Sequence, residues 1–136
     1  DTDGTVFLDR VLDAAPRVVG AGFAAAAVFN TVKVLPRSRE VLQQFAGDAW
    51  VPPYRAALCA LDPVATAVIA GVIGFEAIVA CHLLGGRRTR ESLRWTQAFT
   101  LGLIPALAWP YWPSNVAYAA AIELVLRGRS TGGGPA

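Results

Sequence analysis

Methionine is absent from the 136 residues, histidine and lysine occur once each, and cysteine occurs twice. Each scarcity excludes some chemistry. One histidine, His82, cannot supply bis-histidine haem ligation within the chain. Cys59 and Cys81 stand 22 positions apart. Along a helix that separation is about 33 Å, against the roughly 4.4–6.8 Å a disulfide permits, so they cannot pair with each other. No Cys-x-x-Cys pair, zinc-ligand spacing, nucleophile elbow or phosphate-binding glycine loop occurs, so neither a metal site nor a complete catalytic set is expected. Charged residues make up only 16%, and the net charge of +2 is too small to imply a nucleic-acid partner. With aspartate at position 1 and no methionine, the chain is expected to be processed or to lack its start. Asp1 to Thr5 has neither the basic nor the apolar region of a signal peptide, so any targeting sequence is expected to be gone already.

What is abundant is apolar: 54% of the residues are hydrophobic, the composition of a multi-span membrane protein in one domain. The defining run is Pro63 to Leu84, 22 residues interrupted by a single carboxylate, Glu76. As a helix it measures about 33 Å, enough for a hydrocarbon core of roughly 30 Å. Asp62 and Pro63 read as its N-cap and first residue, and Gly85-Gly86 with Arg87, Arg88, Arg90 and Arg94 mark its end.

Upstream, residues 5–13 alternate Val6, Phe7 and Val11 with Asp9, Arg10 and Asp13, which suggests a short interfacial helix. Pro16 then suits the first turn of a first span over residues 16–35. Its glycine- and alanine-rich middle (Gly20, Gly22, Ala24 to Ala27) allows a neighbouring helix to approach closely. Pro36 should end that span, and a second amphipathic helix should precede Gly47. Trp50 and Tyr54, beside two prolines, are expected to rest at the headgroup level. A third span is expected over 92–109, kinked at Pro105, and a fourth, short one over 114–127, followed by a flexible tail at 128–136. The expected fold is therefore all-α, an integral membrane four-helix bundle with short interfacial amphipathic helices.

If all four helices cross, eight basic residues (Arg10, Arg17, Arg87, Arg88, Arg90, Arg94, Arg127 and Arg129) lie on one side, and Lys33, Arg37, Arg39 and Arg55 on the other. The positive-inside rule then puts both termini in the cytoplasm, matrix or stroma, with the chain in a bacterial plasma membrane or an organelle inner or thylakoid membrane. Most of the aromatic belt, including Trp50, Tyr54, Trp109, Tyr111 and Trp112, gathers on the opposite side.

Glu76 is the sharpest chemical signal, because a carboxyl in hydrocarbon costs at least about 2.5 kcal/mol unless it is neutral, paired or wet. Gln97 and Thr100 of the third span are expected at similar depth, making Glu76, Gln97 and Thr100 a candidate intramembrane polar site. Structural hydrogen bonding there is favoured over a proton relay or a quinone contact. Glu123 should reach Arg127 at i+4. His82 is a candidate cofactor or headgroup contact. Arg87, Arg88, Arg90 and Arg94 form a lipid-facing basic cluster.

A first span ending F-N-T-V-K-V-L (Phe29 to Leu35), a loop with Q-F-A-G (Gln44 to Gly47), a second span holding Glu76 and ending L-L-G-G-R-R-T-R, and two closing spans resemble DoxX-like membrane proteins. That resemblance implies a compact four-helix membrane module, in some members a quinone-linked partner of redox enzymes. Asn30 and Thr31 depart from the glycine-rich approach to the lysine of that pattern. The expected function is an accessory subunit of a larger membrane complex, of respiratory or photosynthetic electron-transfer type, with membrane lipids and other integral membrane subunits as partners. A quinone-handling redox module is the alternative, with a small proton-coupled transporter ranked last. Contact with a quinone, pigment or haem is compatible with these readings, although no motif indicates one.

Overall fold

A computed structural model of the chain describes residues 2–107 and 111–132. Among the described residues the fold is all-helical, without a strand. Helix α1 spans Thr2–Phe29, α2 Ser38–Asp48, α3 Pro52–Ala60, α4 Ala65–Leu84, α5 Thr89–Gly102 and α6 Tyr111–Gly132. A π turn at Asn30–Val34 and a 3-10 turn at Leu35–Arg37 join α1 to α2. Two helical stretches are long and apolar enough to cross a membrane, Thr2–Asp48 and Asp62–Leu84. Helix α5, with 14 residues, is about 21 Å long, and α6 carries Glu123, Arg127 and Arg129. Crossing by these two does not follow from length and composition.

Several local expectations are corrected. Pro16 does not begin a helix; it lies buried inside α1, which runs unbroken through residues 5–13. A proline in a helix deprives the carbonyl four residues earlier of its partner, here that of Leu12. Arg129 of α6 supplies the replacement, its Nη1 donating to the Leu12 oxygen at 3.1 Å. Gly128 makes the approach possible, since a Cβ there would stand 2.9 Å from Leu12 Cδ2. Pro36 likewise lies in a turn that continues into α2 rather than ending the helical path. Asp62 caps nothing: its carboxylate accepts from Arg39 at 2.6 Å and from Gln43 at 3.1 Å, which ties α2 to the start of α4. Pro105 ends α5 in a 3-10 turn at Ile104–Ala106 instead of kinking it. Helix α6 starts before Ser114 and continues past 128 to Gly132, where a flexible tail is expected from composition. Residues 108–110, at the end of the expected third span, and 133–136 of the tail lie outside the described residues.

Helices α1 and α4 form the main pair. Pro16, Gly20 and Ala27 repeat at helical spacing on α1 and are buried, as are Ala65, Ile69, Glu76, Ala80 and Leu83 on α4. The two helices approach closely at Gly20, where a Cβ would meet Leu83 Cβ at 2.9 Å and Leu84 backbone nitrogen at 3.2 Å. Helices α5 and α6 pack as a hairpin over this pair. Leu93, Ile122 and Leu126 join Val79 and Leu83 in one apolar core.

The two ends of the bundle differ. At one, α4 stops in a Schellman turn: Arg87 N–H donates to His82 oxygen at 2.8 Å and Gly86 N–H to Leu83 oxygen at 3.4 Å, with Gly86 at φ +66°. This turn lies beside Arg10, Arg17 and Arg129. At the other end the aromatic segment is bonded into the protein. Trp50 N–H donates to Pro105 oxygen, Trp50 Nε1 to Ile104 oxygen and Tyr54 Oη to Gly102 oxygen at 2.7 Å. These bonds satisfy carbonyls left over at the end of α5. Burial pushes the Tyr54 phenol above its ordinary value. Trp50 also packs against Trp112, with ring centroids 6.4 Å apart.

Candidate functional site

Glu76 sits midway along α4 on the buried stripe and is only 3% exposed. Its Oε1 accepts a hydrogen bond from Asn30 Nδ2 at 2.6 Å. Asn30 is the first residue of the π turn, and its own carbonyl accepts the N–H of Leu35 five residues on. Single π turns inside helices recur at functional sites. Here the turn that follows α1 carries the polar side chain that meets the buried carboxyl.

Beside this pair lies a cavity of about 270 Å³ between α1, α4, α5 and α6. Glu76, Thr100, Asn115 and Tyr118 bring polar groups to its wall, and Phe23 and Phe99 bring ring faces. Phe75 completes an aromatic triad, stacked on Phe99 at 5.0 Å and edge-on to Phe23 at 6.2 Å. Asn115 Nδ2 donates to the Thr100 carbonyl at 3.0 Å, which fixes α6 against α5 at this level. The cavity is open between α1 and α6, where Gly22 and Tyr118 are exposed. Its volume is slightly below the roughly 300 Å³ at which ordinary ligand pockets begin, so it admits a single ring rather than a cofactor.

The expected constellation of Glu76, Gln97 and Thr100 is split. Thr100 is buried and lines the cavity with Glu76. Gln97 turns away: its Nε2 donates to Glu123 Oε2 at 2.9 Å and to Ala119 oxygen at 3.1 Å. Three positions on a helix differ by about 60° in direction, and Glu123 offers Gln97 a charged acceptor on that bearing. Glu123 meets Arg127 at i+4 as expected, at 3.1 Å, but it also holds Arg94 at 2.5 Å. Arg94 therefore leaves the expected lipid-facing cluster and joins a network between α5 and α6. Arg87, Arg88 and Arg90 are exposed around the Schellman turn. His82 is half-buried in the last turn of α4 and is not part of the cavity wall. Cys59 and Cys81 are free and exposed. Among the described residues no three His, Cys, Asp or Glu side chains come together as a metal centre would require.

Asn30 as the partner of Glu76, and Asn115 and Tyr118 as lining of its cavity, were not legible in the sequence. The available signal was that Asn30, at the end of one apolar run, and Glu76, inside another, are polar groups that favour mutual hydrogen bonding. Comparison of the chain with protein-family models, with curated proteins and with solved structures gives no match.

Proposed function

We propose that this protein is a multi-pass membrane module, with α1, α4, α5 and α6 crossing the bilayer, and that it serves as an accessory subunit of a larger membrane complex. The observation that carries this reading is an inverted distribution of polarity. Thr96 is fully buried and Ser92, Thr100 and Glu76 nearly so, while Leu124, Val18, Phe29 and Ile78 are 60–70% exposed. A soluble domain would place these groups the other way round, whereas hydrocarbon rewards polar contacts inside and tolerates apolar ones outside. The exposed large apolar side chains extend over α1, α4 and α6, and extended apolar exposure marks a surface that meets lipid or a partner. An electron-transfer complex is the class suggested by the DoxX-like resemblance. The chain is expected to stay in the membrane pellet through an alkaline carbonate wash and to leave mild detergent with a stable partner. Recovery as a lone chain would overturn the subunit reading.

The cavity favours a second reading, a quinone-linked module in which a single ring lies against the edge-on pair Phe23 and Phe99 and bonds to Glu76. Of the residues expected from sequence Thr100 lines the cavity with Glu76, while Gln97 and His82 do not, and Asn115 and Tyr118 are added. A short-chain quinone should raise the thermal midpoint of the parent protein and leave that of Glu76→Gln unmoved. An unmoved parent would remove this reading.

A further inference from the structure

A groove of about 670 Å³ lies at the basic end of the bundle, between residues 10–21 of α1, the α4–α5 turn and the end of α6. Most of its α1 wall is one helical face: Arg10, the pairs Asp13-Ala14 and Arg17-Val18, and Ala21 recur every three to four residues. Arg129 closes it from α6, and Leu83 lies on its α4 side.

Three observations separate this groove from an ordinary solvated surface. First, its arginines have no internal counter-ion. Among the described residues Arg10, Arg17 and Arg129 have no carboxylate within 4 Å, a property shared with Arg55, Arg87, Arg88 and Arg90, and what marks the groove is that three such guanidinium groups line one concave surface. Second, Arg129 is positioned. Its Nη1 is fixed by the Leu12 carbonyl that Pro16 leaves without an N–H, and its remaining donors are available to a ligand. Third, the lining combines two chemistries, with guanidinium groups beside the apolar Val18, Ala21 and Leu83. Three guanidinium groups against the single carboxylate of Asp13 favour an anion, and their planar donor forks suit phosphate oxygens.

We propose that this groove binds a phosphate oxyanion, and that the apolar residues beside the arginines make an acidic phospholipid its occupant, with the headgroup among Arg10, Arg17 and Arg129 and the chains along Val18 and Ala21. The site is distinct from the exposed arginines of the α4–α5 turn. It extends the membrane reading but does not depend on it for the phosphate contact.

The full chain in dodecyl maltoside is incubated with phosphatidylglycerol, phosphatidylcholine or inorganic phosphate, and the retained ligand is read by native mass spectrometry. Phosphatidylglycerol should be held and phosphatidylcholine lost. Arg10→Gln/Arg17→Gln/Arg129→Gln should weaken retention roughly a hundredfold, at the usual contribution of an arginine near an anionic surface. Arg87→Gln/Arg88→Gln/Arg90→Gln removes equal charge outside the groove lining and should cost far less retention than the groove variant. Asp13→Asn should raise retention about threefold, a gain that a damaged fold cannot produce. Equal retention of the two lipids, or equal losses in the two triple variants, overturns the proposal. Retention of inorganic phosphate but not phosphatidylglycerol, with the same arginine dependence, upholds the oxyanion site and assigns it to a free phosphate. A chain that carbonate strips from the membrane yet still holds phosphate would sink the membrane reading and leave this site standing.

Discussion

Gly20→Leu is expected to separate α1 from α4 and lower stability by about 3 kcal/mol or more, the upper range for overpacking a filled contact. The cause is local and visible: even one added carbon at position 20 would stand 2.9 Å from Leu83 Cβ and 3.2 Å from the Leu84 backbone nitrogen. A backbone atom cannot swing aside as a side-chain tip can. Gly20→Ala should therefore already cost about 1–3 kcal/mol. Gly22→Ala is the control, because nothing lies within 4 Å of its added carbon. Unfolding midpoints in detergent, followed by circular dichroism, measure all three. A Gly20→Leu protein as stable as Gly22→Ala would disprove the close α1–α4 contact.

The second large effect concerns the Asn30–Glu76 pair. Asn30→Leu removes the donor and leaves a carboxyl oxygen of a 3% exposed residue without its bond, at a cost of about 1–3 kcal/mol. Replacing both partners removes the unsatisfied group as well. The Asn30→Leu/Glu76→Leu double variant should thus recover much of the loss, with a coupling near 1 kcal/mol, the scale of interhelical hydrogen bonds in membrane proteins. Strictly additive losses would mean that the 2.6 Å contact contributes nothing. Both variants keep the hydrophobic packing of the surrounding phenylalanines, so the comparison isolates the polar term.

The apolar elements were legible and the ties between them were not. The run that became α4 announces itself through composition alone, because hydropathy is a property of each residue summed locally. The capping role expected of Asp62 fails because Arg39, 23 positions earlier, offers it a charged bond in place of the backbone amides of its own helix. Pro16 reads as a helix start for the same reason: the group that compensates its missing N–H lies on α6. Helix α6 is longer than its apolar stretch because backbone hydrogen bonds continue through Arg127 and Arg129, where hydropathy falls. Within the candidate site, the depth of Glu76 and the i+4 partner of Glu123 follow from helical spacing. The choice of Asn30 over Gln97 as the partner of Glu76 depends on how the four helices rotate about their axes, which spacing within one helix does not specify.

The Arg129–Leu12 bond also bears on the order of events during synthesis, since its partners are 117 residues apart. At translation rates of roughly 5–20 residues per second, Leu12 waits about 6 to 23 s for the residue that satisfies its carbonyl. Helix α1 is thus completed only after α6 has been made, and throughout that interval the Leu12 carbonyl depends on water or another temporary donor.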